Sequence, residues 1–419
     1  LGVATNVGPQ RFRIPWVTVT GRRHTPMLSE KSRPVIEATL PIIAERINDI
    51  TPDFYRRMFA ARPDLMDGMF SRSSQLEGTQ PRALAGSIAV FASYIVEHPN
   101  SYPDEVLSRV AHKHASLGLK EEEYPTVYKY LFEAIAANLG DLATPEIVDA
   151  WTEVYWLMGN ALIKLEKGLY ASQANDVTRA PFKVVDRKET GENVVVLTFE
   201  PADDTPMTES KGGQYVSVTV PARDGLRQAR QYTLLPSEKN QRRIGVKLDP
   251  NGEMTSILHE LKIGDVVEIS NPYGDLTLEG FGDPEAPLYL FSAGIGTTPM
   301  LSFLSELVEK GSKRPVTVVH ADRRLDTWPL REELVELVGK LPNGRLVSFI
   351  EGEGGDYTGR VDVSKLDVPS NANVYLCGPL PFMQGVRSAL VDAGVPGKNI
   401  NYEIFGPDQW MLHDQAREA

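Results

Sequence analysis

Two histidines stand two apart in EVLSRVAHKHASLGL, residues 105–119, and helical phase separates them. Leu107, Val110, His114 and Leu117 follow i, i+3, i+7, i+10 spacing and share one helix face. His112 falls off that stripe and is expected in solvent. A histidine on an apolar face is ordinarily a satisfied core residue. Its other use is as a ligand, since haem iron is held by one such histidine facing an apolar pocket. A second wall is at hand. In TPDFYRRMF, Tyr55 sits between Phe54 and Met58–Phe59, and Gln80 and Leu84 lie four apart on a stripe that Ile88 and Phe91 continue. Buried polar groups need partners, which a bound diatomic molecule would supply. The alternatives are that Tyr55 turns its hydroxyl to solvent and that Gln80 only opens a helix before Pro81. Glu166 follows Tyr155, Met158 and Leu162 along one helix face, and a carboxylate there is costly unless hydrogen-bonded. Alternatively it lies at a frayed end and pairs with Lys164 or Lys167.

Two glycine-containing turns suit phosphates. NGEMTS, residues 251–256, reads as a turn into a short helix whose free N–H groups face an anion. In LYLFSAGIGTTPML a buried strand meets a helix through Gly294, Ile295, Gly296, Thr297, Thr298 and Pro299. The glycines let the backbone approach a pyrophosphate, and Pro299 suits the first helical position. Pro299 stands where the G-x-G-x-x-G fingerprint has its third glycine.

The elements that position these residues change character along the chain. Residues 28–170 read helical throughout, with Thr51-Pro52 and Thr144-Pro145 as two helix starts. From Pro181 short β-branched runs appear, NVVVLTF, YVSVTV and VVEIS. From Pro287 strands alternate with helices: LYLFS, PVTVVH, RLVSFI and NVYLCG with helices between, one over residues 332–340. That alternation predicts a parallel, doubly wound sheet. The fold class is therefore multidomain: an all-α unit over 27–172, an antiparallel β-barrel over 177–284 and an α/β unit over 285–412. The joints fall near 173–178 and 282–286, and no internal repeat is visible.

Composition excludes several classes. A formal charge of −12 argues against a nucleic-acid partner. The single cysteine, Cys377, rules out an internal disulfide framework and a thiolate zinc cluster, which fits a reducing compartment. No window approaches the roughly 18 apolar residues that span a bilayer. Residues 1–26 carry Arg11, Arg13, Arg22 and Arg23 with no acid before Glu30, and Pro9, Pro15 and Pro26. They read as an extension that does not join the fold, with a basic targeting presequence as the alternative. The expectation is a monomer in the cytoplasm.

The helical half resembles the globin domain of the flavohaemoglobins. DFYRRMF, RPDLMDGMF with Phe70 at a helix corner, VAHKHASLGL and DAWTEVYWLM carry the resemblance. By it, His114 is the proximal ligand of haem b, and Tyr55, Gln80 and Leu84 form the distal side. Tyr124 and Glu166 match the proximal pair that hydrogen-bonds the histidine, and Lys113 matches a redox-tuning lysine.

The rest of the chain is similar to ferredoxin-reductase-like modules. RQYTL implies that Arg230 pairs with an FAD pyrophosphate, that Tyr232 lies against the flavin ring, and that Thr233 bonds near its reactive nitrogen, with Gln231 between them. The family more often has Ser at that last position. GGQYVSV (Gly213, Gln214, Tyr215) and the turn Gly252, Glu253, Met254 and Thr255 add to the FAD match. In YLCGPLPFM, Cys377, Gly378 and Pro379 match the segment beside the nicotinamide. YEIFGP, residues 402–407, implies that Phe405 stacks over the flavin and that Glu403 tunes it; the family often has Cys in place of Ile404. His320-Ala321-Asp322 favours NADH over NADPH, although Arg323 and Arg324 follow directly.

The resemblance spans residues 28–407 and implies a nitric oxide dioxygenase. NAD(P)H reduces FAD, FAD reduces haem, and nitric oxide with haem-bound oxygen becomes nitrate. The partners are then small molecules: oxygen, nitric oxide and NAD(P)H. The alternatives are a reductase acting on ferric compounds, quinones or hydroperoxides, and an oxygen- or NO-sensing globin. The helical phase generates its own test. His114→Ala is expected to lose haem, read by the Soret band of the purified protein, and His112→Ala to keep it; the reverse outcome contradicts the phase assignment.

Overall fold

The computed structural model describes residues 27–70, 75, 78–279 and 282–406. The expected extension 1–26 and Pro407 lie outside the described residues. The first unit is helical, and its described residues include α1 (Ser32–Ala61), α2 (Thr79–Glu97), α3 (Asp104–Leu117), α4 (Tyr124–Leu139) and α5 (Pro145–Ala171). Thr144 caps α5, its Oγ1 accepting the Ile147 N–H at 3.4 Å, and Pro145 follows at the first helical position. Thr51-Pro52 does not start a helix, contrary to the sequence expectation. Both residues lie inside α1. Thr51 donates its hydroxyl to the Ile47 carbonyl at 3.0 Å, and Ile50, Phe54 and Met58 bury a continuous face on either side of the proline. Tertiary burial there outweighs the helix-breaking tendency of proline.

The second unit is an antiparallel sheet of β1 (Arg179–Thr190), β2 (Val194–Pro201), β3 (Tyr215–Pro221), β4 (Arg227–Thr233), β5 (Arg242–Lys247) and β6 (Val266–Ser270). Its order is β4-β3-β6-β1-β2-β5. The two end strands approach each other where the Leu235 N–H donates to Arg243 O at 2.8 Å, which curls the sheet into a barrel. Helix α6 (Glu253–Glu260) sends Met254 and Leu258 into the barrel core.

The third unit is a parallel sheet in the order β10-β9-β8-β7-β11-β12. Its strands are β7 (Leu288–Ala293), β8 (Val316–Asp322), β9 (Gly344–Ile350), β10 (Tyr357–Thr358), β11 (Asn373–Cys377) and β12 (Ile400–Glu403). Helices α7 (Thr297–Glu309) and α8 (Arg331–Gly339) bury Phe303 and Leu334 in one core, while α9 (Leu380–Asp392) buries Met383 and Leu390 in another. The sequence order changes direction between β7 and β11, the switch point where doubly wound sheets bind ligands. Among the described residues no helix is long and apolar enough to cross a membrane.

Two of the places that tie the helical unit to the barrel depend on backbone geometry. One is a strand-edge clamp: Asp67 accepts the Arg227 N–H at 2.7 Å and its guanidinium at 2.9 Å, and the Gly68 N–H donates to Arg227 O at 2.7 Å. Arg227 holds the Asp67 carboxyl below its ordinary pKa. The other is the C-terminal end of α3, where Gly118 takes φ +82° and a Cβ would stand 2.1 Å from Thr178 Cγ2. Only glycine tolerates both conditions. Gly118→Ala is expected to cost about 2 kcal/mol of stability, read as a lowered Tm. Gly118→Ala combined with Thr178→Gly recovers the part due to the clash; no loss in the single variant contradicts this packing.

Candidate functional site

On α3 the fully buried stripe runs through Leu107, Ala111 and Ala115, while Val110, His114 and Leu117 lie half-buried beside it. His114 Nδ1 lies 2.8 Å from Glu166 Oε1, and the Tyr124 hydroxyl donates to the same oxygen at 2.7 Å. Glu166 is therefore no frayed-end residue; Lys167 pairs with Glu121 instead. Around this deeply buried carboxylate two hydrogen-bond partners replace water. Burial and the Glu166 charge push the Tyr124 phenol far above its ordinary pKa, so it stays a donor. With Nδ1–H committed to Glu166, Nε2 has no protein partner among the described residues. This donor set fits a haem iron: one nitrogen oriented by a carboxylate, the other directed to an apolar space.

Tyr55 is buried on α1 and shares a hydrogen bond with the Gln80 side chain on the first turn of α2. Its hydroxyl does not face solvent. Burial pushes the phenol well above its ordinary pKa while the Gln80 amide donates to its oxygen. The start of α2 at Thr79, with Gly78 left-handed before it, places Gln80 ahead of Pro81 within reach of Tyr55. Phe70 meets Tyr55 edge-on at 5.9 Å and Phe59 at 5.1 Å, and Leu84 is half-buried one turn beyond Gln80.

On the barrel, Arg230 and Tyr232 alternate onto one face of β4, and Gln231 and Thr233 onto the other. Half-buried Arg230 and Tyr232 fit a ring and its pyrophosphate, and Phe405 adds an aromatic that is 49% exposed. Several expected FAD side chains are spent locally. Gln214 accepts the Lys211 N–H at 2.9 Å, Glu253 accepts the Arg223 N–H at 2.8 Å, and Thr255 accepts the Asp249 N–H at 3.0 Å. Met254 is core. The Gly252 N–H is itself spent on Asp249 O at 2.9 Å, so what this turn can offer a phosphate is the backbone N–H groups of Glu253 to Thr255 at the start of α6.

At the end of β7, Gly294 takes φ +54°, and a Cβ on Gly296 would stand 2.2 Å from Cys377 O. That contact joins the loop to the Cys377-Gly378-Pro379 segment that follows β11. Cys377 itself is buried, its thiol pushed up by burial and by the Glu403 charge across the β11–β12 register. Thr297 and Thr298 are buried at the helix start, Thr298 donating to Ile295 O at 3.1 Å. Pro299 is the third residue of α7 rather than the first, still inside the turn whose N–H groups have no intrahelical acceptor. One residue escaped the sequence reading. Lys247, at the end of β5 on the barrel, brings its ammonium to 3.9 Å from the Cβ position of Gly294. A cation over a glycine loop suits an anionic ligand. Only the folded juxtaposition of barrel and sheet reveals it.

The chain matches three family models in order: Globin over 52–162, Oxidoreductase FAD-binding domain over 181–278 and Oxidoreductase NAD-binding domain over 290–388. It is 37% identical over 402 residues to the Flavohemoprotein of Bordetella parapertussis, covering 91% of this chain and 99% of that protein. It is 34% identical over 402 residues to the Flavohemoprotein of Bacillus subtilis, covering 91% and 98%. The chain belongs to the flavohaemoglobin family. A flavohaemoglobin structure from Malassezia yamatoensis, with bound FAD and haem, superimposes with a TM-score of 0.89 at 58% identity, covering 90% of this chain and all, 100%, of that one. The FAD/NAD-binding domain of a nitric oxide dioxygenase from Vibrio cholerae matches with TM-score 0.50 and 30% identity over 55% of this chain and 100% of that one. The two reductase domains make the chain an oxidoreductase.

In this flavohaemoglobin the globin meets the reductase through the back of α3. His112 is packed there, not solvated: its Nδ1 accepts the Gly274 N–H at 2.9 Å and its ring meets Tyr273 edge-on at 6.5 Å. Burial holds the ring neutral, against the pull of Asp275. Helical phase shows which face a helix turns to its own domain; it is silent on a second domain covering the other face. Lys113 likewise points to the barrel, donating to Gln231 Oε1, and burial lowers its ammonium pKa to about 8 while Glu403 opposes the shift. Gln231 Nε2 donates to Ser217 Oγ at 2.8 Å, and Ser217 donates to Ser116 at 3.0 Å. Arg109 lies 4.5 Å over the Tyr402 ring.

Glu166→Gln removes the charged acceptor from Nδ1. The expected result is a protein that keeps haem but has a lower Fe–His stretching frequency in its ferrous resonance Raman spectrum; an unchanged frequency contradicts the proximal assignment.

Proposed function

We propose that the chain is an NAD(P)H-dependent nitric oxide dioxygenase carrying haem b and FAD. The observation that carries this reading is the Tyr55–Gln80 hydrogen bond in an otherwise apolar wall, joined in one chain to the carboxylate-backed His114. When bound, haem supplies the dioxygen chemistry and FAD converts hydride into single electrons. The chain's residues hold, orient and polarise.

Tyr55 keeps its proton because it is buried, and Gln80 occupies the phenol oxygen, so the O–H can donate to negative charge developing on an oxygen-derived ligand. His114 is fixed in one tautomer by Glu166, and the Tyr124 hydroxyl steadies that carboxylate. Phe59, Phe70 and Leu84 keep bulk water from the pocket. Nitric oxide, dioxygen and one electron combine to nitrate, so one hydride serves two turnovers. The reading also takes the chain as a monomer of a reducing, cytoplasmic compartment, which the buried free Cys377 suits.

The test is nitric oxide consumption by holo-protein with NAD(P)H and oxygen. Nitrate should form in a ratio of two per nucleotide oxidised. Tyr55→Phe should lower turnover about 10²-fold, the scale of one lost transition-state donor, while haem is still reduced. Nitrate formation that ignores Tyr55, or fast reduction of ferric compounds or quinones without nitric oxide consumption, sinks the reading.

A further inference from the structure

A cleft lies between the barrel and the parallel sheet, lined by Glu192 and Lys247 on one side and Gly294, Asp322, Arg323 and Thr327 on the other. The end of β8 is where a doubly wound sheet distinguishes dinucleotides: an acid accepts a hydrogen bond from the ribose 2′-hydroxyl, or an arginine donates to a 2′-phosphate. Neither arrangement is present here in its simple form. Asp322 is turned inward. Its Oδ1 accepts from the Thr327 hydroxyl and from the Arg323 N–H at 2.8 Å, Oδ2 lies 3.5 Å from His320 Nε2, and the side chain is 8% exposed. Arg324 is taken by Asp326 at 2.8 Å. Arg323 remains at the cleft, 63% exposed, and it is paired with Glu192.

Glu192 belongs to the barrel, in the β1–β2 turn, and that turn is pinned to the nucleotide unit. The Leu330 N–H donates to Thr190 Oγ1 at 2.9 Å, and a Cβ on Gly191, at φ +55°, would stand 2.8 Å from Thr327 O. An exposed ion pair between free side chains contributes little. Here one partner is fixed at the mouth of the cleft by backbone packing.

We propose that Glu192 is a specificity-determining residue: by pairing with Arg323 it cancels the charge that would receive a 2′-phosphate, so the flavohaemoglobin uses NADH in preference to NADPH. This rests on the third unit binding a nicotinamide dinucleotide. A 2′-phosphate entering the cleft meets a neutral pair and a nearby carboxylate rather than a free guanidinium. At contact distance one such charge changes affinity by about tenfold or more.

The experiment is titration of the purified holo-protein with NAD+ and NADP+ by calorimetry, alongside kcat/KM for NADH and NADPH with ferricyanide as acceptor. The unsubstituted protein should favour the non-phosphorylated nucleotide in both. Glu192→Gln should move the NADP+/NAD+ Kd ratio about tenfold toward NADP+, and adding Arg323→Ala should abolish that gain. A preference for NADPH in the unsubstituted protein overturns the proposal, as does a Glu192→Gln ratio that does not move. Binding of neither nucleotide overturns the dinucleotide reading beneath it.

Discussion

Fourteen residues of α3 meet two demands at once: two different neighbours must be satisfied from opposite sides of one short cylinder. One side presents His114 toward an apolar space and hands its Nδ1 to Glu166. The other side presents Arg109, His112, Lys113 and Ser116 to Tyr402, Gly274, Gln231 and Ser217 of the reductase. A helix turn rotates side chains by a fixed amount, so adjacent residues in a single sequence run can face haem and barrel in turn. Rotation of α3 would break both sets of contacts at once. The helix therefore fixes the orientation of His114 and the inter-domain register by the same backbone.

Electrostatics reinforces this arrangement. Charges at the junction are few and each has a donor, an acceptor or an opposite charge nearby. Glu166 has two donors. Lys113, its pKa lowered by burial, stands between Gln231 and the Glu403 charge. Asp67 and Arg227 form the more exposed clamp at the other end of the interface. Buried groups of this kind contribute less to net stability than to a unique geometry, because any displaced arrangement leaves one of them without a partner.

How much of this was legible in the sequence follows from what each pattern encodes. The 3.6-residue period separates His114 from His112 because one face of α3 packs on its own domain. The same period mislabels His112, since a second domain covering the other face leaves no apolar trace. Thr51-Pro52 has the composition of a helix start, but Ile50, Phe54 and Met58 bury across it and the helix continues. The glycine loop at Gly294 was readable because glycine marks close backbone approach. Lys247 was not, since its importance comes from a strand of one domain ending over a loop of another. Asp322 is a further case: the sequence marks it as the end of a strand, and only the fold shows its side chain turned toward Thr327 and His320.

Under the proposed function, α3 couples β4 of the barrel to the histidine that would hold the haem iron within one molecule. Stopped-flow reduction of the anaerobic, carbon-monoxide-saturated holo-protein by NADH measures that coupling directly. Haem reduction should follow flavin reduction with a rate independent of protein concentration, and Ser116→Val with His112→Ala should slow that step while leaving flavin reduction intact. A haem-reduction rate that rises in proportion to protein concentration, or one indifferent to those substitutions, would contradict the account.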